Sequence, residues 1–176
     1  SKILDVGCGK GYLLYEMMLI QPGLKIYGID ISKHAIKDSF HLKNLFLTKA
    51  DARKKLPYKN KNFDLAISLA TLHNFELPDL SMAIKEIERV AKKKYIMVES
   101  YRSDQELFNL QCWALTCSTF LNEKEWVYLF KTLKYKMNQS IKLLWKKIYI
   151  SMQRIQTKLE SFLNQMIISK IMSTKV

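Results

Sequence analysis

The sequence predicts an α/β domain: a mostly parallel sheet with helices on both faces. Three observations carry this. Strand-like apolar runs alternate with segments of helical periodicity over residues 2–100, the pattern of parallel strands joined by helical crossovers. The first run ends in Gly7-Cys8-Gly9-Lys10-Gly11, which opens directly into a helical segment. Residues 63–69 form a short, nearly unbroken apolar run, as expected of a strand buried on both faces.

The elements follow in order. Residues 2–6 are the first strand and 11–20 the first helix, which Pro22-Gly23 stops. Residues 24–30 are the second strand. Ser32 caps a helix running to about residue 42, because its hydroxyl can accept a free first-turn N–H. Residues 44–49 and 63–69 are strands three and four. In residues 78–91, Leu80, Ala83, Ile84, Ile87 and Val90 fall at helical spacing. Residues 94–100 are strand five, and a further helix covers 126–135. There are no internal repeats.

Bulk properties bound the function. At 176 residues the chain suits one domain with a real core. No stretch approaches the roughly 20 apolar residues of a membrane-spanning helix. No signal peptide is visible. The chain does not begin with Met, and Ser1 lies two residues before strand one, so the natural N-terminus is expected upstream. The three cysteines, Cys8, Cys112 and Cys117, have no metal-ligand or CxxC spacing. They read as small buried thiols in a reducing cytoplasm, and no metal site is expected.

The glycine loop carries the chemistry. Glycines let the backbone turn tightly and approach a ligand, and helix N–H groups then face it. A dinucleotide fingerprint would be GxGxxG. Here Gly7, Gly9 and Gly11 give GxGxG, position 12 is Tyr, and Asp5 precedes the loop. An acidic residue there suits a cationic amino or sulfonium ligand better than a pyrophosphate. This run resembles motif I of the class I S-adenosylmethionine-dependent methyltransferases, including their UbiE-like members. The resemblance implies a Rossmann-like fold with S-adenosyl-L-methionine held by Asp5, Gly7, Cys8, Gly9 and Gly11.

Further segments follow in that family's order. Tyr27-Gly28-Ile29-Asp30-Ile31-Ser32 resembles the second-strand motif, whose carboxylate holds the ribose diol; Asp30 and Ile31 take that place. A carboxylate accepts two O–H bonds from a cis-diol, and such charge-assisted bonds are strong. Alternatively, Asp30 caps the next helix. Ala50-Asp51-Ala52 with Leu56-Pro57-Tyr58 and Phe63-Asp64-Leu65 resembles the "GDAxxLPF…FD" block, which implies that Asp51 and the Ala52 N–H contact the adenine. Position 49 is Lys where Gly is common. Ser68-Leu69-Ala70-Thr71-Leu72-His73-Asn74 stands where the family has its active-site loop. Ser68 and Leu69 would flank the cofactor there, and His73 would be a base near neutral pH. A locally packed, hydrogen-bonded His73 is the equal alternative. The usual Pro-Gly-Gly turn before strand five is replaced by Lys92-Lys93-Lys94.

The segment around Glu99-Ser100-Tyr101-Arg102 and Trp113 resembles bacterial methyltransferases encoded with surface-polysaccharide genes. Tyr101, Arg102 and Trp113 would then line a pocket for a small-molecule or sugar acceptor; otherwise a helix packs over strand five with Trp113 in its core. The resemblance to class I covers about residues 1–130. Methyl transfer from a sulfonium is an in-line displacement dominated by positioning. An oxygen nucleophile also needs a base.

The last part of the chain differs in character. Residues 1–126 hold 19 Lys and Arg against 15 Asp and Glu; residues 127–176 hold 10 against 1. Domain limits are set at 1–130 and 131–176. Strands six and seven of the family fold are expected to be missing or replaced by a basic amphipathic helix, since Ile141, Leu144, Ile148, Met152, Ile155, Leu159, Phe162 and Met166 recur every three or four residues. That tail is either a genuine appendage docking on the domain, a partner or an anionic membrane surface, or a frame-shifted translation of AT-rich DNA. A nucleic-acid partner is disfavoured, because the tail lacks a regular aromatic stacking platform. A catalytically impaired scaffold and an RNA methyltransferase remain the rival functions.

Overall fold

The computed structural model describes residues 1–135. Five strands, β1 (Lys2–Val6), β2 (Lys25–Asp30), β3 (Leu45–Lys49), β4 (Phe63–Leu69) and β5 (Ala91–Met97), form one sheet. Every pairing is parallel and the order is β3-β2-β1-β4-β5. The order reverses between β1 and β4, and open sheets of this kind bind ligands at that switch point, beyond the strands' carboxyl ends. The helices are α1 (Tyr12–Ile20), α2 (Lys33–Lys37), α3 (Leu77–Val90), α4 (Asp104–Trp113) and α5 (Glu123–Thr132).

Strand alternation divides the core between two faces. Leu4, Val6 and Ala66 face the helix α3 stripe Leu80, Ala83, Ile84, Ile87 and Val90, and Trp126 and Phe130 of α5 complete that side. Ile3, Ile26 and Leu65 share the opposite face. There Leu14 of α1 packs so close to Gly28 that an added Cβ would lie 2.8 Å from its Cδ1. Helices therefore cover both faces, as the alternation predicts. The fold is Rossmann-like.

Several boundaries differ from expectation, each for a local reason. Gly11 caps α1 instead of starting it, with φ +85°. Helix α2 ends at Lys37, not near residue 42: the Asp38 N–H turns back to His34 and Ile36, and Phe40 leaves the helical path to stack on Tyr15, ring centroids 4.6 Å apart. β5 begins at Ala91, directly after the last residue of α3, and ends at Met97 rather than covering 94–100. Its lysines are held as strand residues by ion pairs, Lys92 to Asp64 at 2.9 Å and Lys94 to Glu88 at 2.7 Å. α5 starts at Glu123, because Asn122 and Glu125 form a reciprocal capping box.

The limit set after residue 130 cuts a packed element, since α5 continues to Thr132 and buried Tyr135 lies 5.1 Å from Phe130 between ring centroids. The expected tail helix through 141–166, and the places of strands six and seven, lie outside the described residues. No helix among the described residues is long and apolar enough to cross a membrane.

Candidate cofactor and acceptor site

The loop after β1 is shaped by its own backbone. Gly7, Gly9 and Gly11 all have positive φ, +84°, +55° and +85°, a region that L side chains avoid. Gly7 has a second constraint: a Cβ there would lie 2.1 Å from Thr71 Oγ1. At Gly9 an added Cβ would meet nothing within 4 Å, so the middle of the loop borders open space. The Gly7 and Cys8 amides both donate to Ile29 O, at 2.8 and 3.0 Å, tying the loop to the end of β2.

Two carboxyl groups flank it. Asp30 is fixed from both sides: Gly9 N–H donates to Oδ2 at 2.9 Å and Ser32 N–H to Oδ1 at 2.8 Å. Ser32 itself caps α2, its Oγ accepting from Ala35 N–H at 3.1 Å. Capping therefore falls to Ser32 while Asp30 braces the loop. Ile31 is exposed beside it. Asp5 is buried on the α1 face and no hydrogen-bond donor reaches its carboxyl among the described residues. Burial first, and the nearby Asp30 charge second, push its pKa up to about 7. The same burial, with Asp5 adding to it, pushes the Cys8 thiol up to about 12.

The remaining expected residues divide. Asp51 is gripped by Arg53, whose Nε donates to Oδ1 at 2.9 Å and Nη2 to Oδ2 at 3.0 Å. Its carboxyl is held below the usual range by that bond. Ala52 is buried beside it. Ser68 is fully buried and donates to Val6 O at 3.0 Å, so its hydroxyl stitches β4 to β1 and does not face a ligand. Leu69 O accepts from Thr71 Oγ1 at 3.0 Å.

His73 fits its packing role rather than that of a base. It sits in a short 3-10 turn, Leu72–Asn74, and is buried. Its Nδ1 accepts from the Glu99 N–H at 3.4 Å, and its carbonyl accepts from the Ser118 and Thr119 amides. Burial lowers its pKa to about 4. The ring nitrogen able to take a proton is thus the one already engaged.

The expected acceptor residues stand in different local settings. Half-buried Tyr101 bridges to Asn122, exposed Arg102 is tied to Glu106 at 2.6 Å, and Trp113 is 48% exposed at the end of α4. Trp113 is therefore not core either. A cavity of about 440 Å³ between Leu77, Leu121, Tyr128 and Leu129 includes none of the three. Sequence reasoning missed Arg53 and left Glu99 without a role. Arg53 stands two residues from Asp51, a spacing that could have signalled the pair. Among the described residues no cluster of three or more His, Cys, Asp or Glu could hold a metal ion.

The comparisons decide the family. The chain matches the family model described as "Methyltransferase domain" over residues 1–164. The chain belongs to the class I methyltransferases. Similar curated proteins include the mitochondrial arginine-hydroxylase NDUFAF5 of Mus musculus, 31% identical over 109 residues that cover 62% of this chain. Another is the tRNA (carboxymethyluridine(34)-5-O)-methyltransferase of Arabidopsis thaliana, 36% identical over 132 residues and 72% of this chain. The chain spans under a third of their length, 31% and 30% respectively. Among solved structures, the YcgJ protein of Bacillus subtilis shares the fold, with a TM-score of 0.60 at 19% identity over 75% of this chain and 60% of its own.

Proposed function

We propose that this methyltransferase binds S-adenosyl-L-methionine over the glycine loop and passes its methyl group to a small-molecule or sugar acceptor at the carboxyl ends of β4 and β5. The carrying observation is the pair of carboxyls beside a left-handed glycine loop, one of them buried with no donor. Two anions repel a pyrophosphate but suit a ligand with an ammonium, a sulfonium and a ribose diol. When bound, that cofactor supplies an electrophilic methyl on a positively charged sulfur. Asp5 holds the cationic end and stays ionised once paired. Asp30, already oriented by the Gly9 and Ser32 amides, accepts the ribose hydroxyls on its remaining lone pairs. Ile31 covers one face of the adenine. Asp51, with Arg53 occupying most of its lone pairs, offers the adenine amine one site on Oδ2, and the Ala52 N–H faces a ring nitrogen. Gly7 and Gly11 keep the loop close enough for these contacts.

Thermal-shift titration checks the cofactor. S-adenosylhomocysteine at 100 times its Kd should stabilise the protein by about 2.7 kcal/mol, NAD+ should not, and Asp30→Ala should abolish the effect. No stabilisation at millimolar ligand would sink the reading. Residues 1–126 are near charge balance, which suits a small acceptor. A tRNA acceptor is the second reading, favoured by the relative of that name and by the 10 cations against 1 acid in residues 127–176. Methyl incorporation into tRNA that weakens steeply with salt would select it.

A further inference from the structure

Glu99 lies two residues past the end of β5, on the same side of the sheet as the buried Asp5. The register establishes this. Asp5 pairs with Ile67, Ile67 with Tyr95, and Leu69 with Met97. Ladder partners share a face, and faces alternate along a strand. Tyr95 and Met97 therefore stand on the Asp5 side, and Glu99 continues their row. Ile96 and Val98 turn the other way, into the α3 and α5 core.

The Glu99 backbone is fastened at both polar groups. Its N–H donates to His73 Nδ1 at 3.4 Å, and its carbonyl accepts from Trp126 Nε1 at 2.9 Å. The carboxyl, by contrast, is half-buried and receives no hydrogen bond or ion pair among the described residues. Neither oxygen is closed off from solvent, so both are open to an incoming partner. Here three elements hold it in place: β5, the 3-10 turn carrying His73, and α5.

We infer that Glu99 is the acceptor-side base, which takes the proton of a hydroxyl or amine nucleophile during methyl transfer. The inference rests on the methyl-transfer reading above. A lone pair of the nucleophile's oxygen or nitrogen forms the new bond to the methyl carbon. The carbon–sulfur bond breaks with its pair on sulfur, which becomes a neutral thioether. The nucleophile's proton passes to a Glu99 oxygen and from there to solvent.

Neighbouring groups do not compete for the role. His73 spends Nδ1 on the Glu99 amide. Cys117, in the α4–α5 connection, donates its thiol to Thr119 O at 3.4 Å, and burial keeps it protonated. Tyr95 and Tyr101 are the nearest titratable residues on its own segment. Burial alone raises the Glu99 pKa, and no neighbouring charge contributes.

The test is kcat against pH at saturating labelled cofactor, with UDP- and dTDP-linked hexoses and amino-hexoses and bulk tRNA as acceptor probes. The wild type should show a limb rising with pH that reports one carboxyl. Glu99→Gln should lose about 100-fold in kcat and the limb with it, while binding S-adenosylhomocysteine within twofold of wild type. Glu99→Asp should keep part of the rate with a displaced limb, and it serves if the Gln variant fails to fold. A Gln variant within threefold of wild type, limb intact, would overturn the inference and leave the methyl-transfer reading standing. Wild type that binds S-adenosylhomocysteine but methylates none of the probes would overturn the hydroxyl-or-amine assignment. Wild type that neither binds nor transfers would remove both.

Discussion

Asp5 and His73 are shifted in opposite directions by the same cause, burial, and their effects on stability oppose each other. Asp5 moves from 3.8 to about 7 and His73 from 6.5 to about 4. Between pH 4 and 6.5 folded Asp5 keeps a proton that the unfolded chain releases, so its share of stability falls as pH rises. Over the same window unfolded His73 binds a proton that the folded ring refuses, so its share rises with pH and is lost on acidification. Each is worth on the order of 3 kcal/mol, and they nearly cancel. Asp5→Asn should unmask the histidine: against wild type, its urea midpoint should be nearly unchanged near pH 3.5 and clearly higher near pH 8. Affinity for S-adenosylhomocysteine should move the other way. In wild type it should weaken about tenfold per pH unit below 7, because the ammonium needs an ionised Asp5; in Asp5→Asn it should be weak and flat. Calorimetry at pH 5.5 and 7 checks this. The glycines separate stability from binding in the same manner. Gly7→Ala meets both a positive φ and Thr71 and should destabilise by well over the 1–2 kcal/mol of the backbone conformation alone. Gly9→Ala faces open space, so denaturation should show only that backbone cost while ligand affinity falls sharply.

At the scale of elements, the 56–60 segment is held by one arginine of α3. Arg89 donates to Tyr58 O at 2.7 Å and Leu56 O at 3.0 Å, and it pairs with Glu86, which also accepts from Leu56 N–H at 2.8 Å. Arg89→Ala leaves two part-buried carbonyls without this donor, so equilibrium unfolding should show a loss of about 1–2 kcal/mol, partly restored by Lys. These elements also show how far the sequence was legible. β1 and β4 are legible to the residue, and the α3 stripe side chain by side chain, because period and burial there obey one local rule. The C-terminal limit of α2 is not legible, because an aromatic contact from Phe40 to Tyr15 decides it. The start of β5 is hidden, because a triple lysine reads as a turn until Asp64 and Glu88 supply its counter-charges. In the candidate site the glycine loop and Asp30 were legible as spacing. Glu99 was not, since its partners His73 and Trp126 are 26 and 27 residues away, and nothing in its neighbours in sequence marks an unpaired carboxyl.

On the scale of the whole molecule, Trp126 is the largest fully buried side chain among the described residues, and it does two things. It stacks on Phe130, centroids 5.7 Å apart, and its indole N–H holds the Glu99 carbonyl. Trp126→Ala should cost about 3–5 kcal/mol. Trp126→Phe keeps most of the packing, so denaturation should report only about 1–2 kcal/mol, with kcat falling further than stability suggests. Among the described residues β5 pairs only with β4, so the Glu99 end of the sheet takes its position from packing and from the joint with α3. That joint has no slack: Val90 ends the helix and Ala91 begins the strand. Chain length at this junction is therefore under tighter constraint than chain chemistry. Swapping Lys93 for another polar residue should be harmless. Inserting one residue after Val90, however, would turn the whole row over, sending Glu99 into the core and Val98 out to the Asp5 face. Across sequences of this architecture, substitutions should accumulate freely at exposed Lys93, while insertions and deletions at the joint between α3 and β5 should be rare.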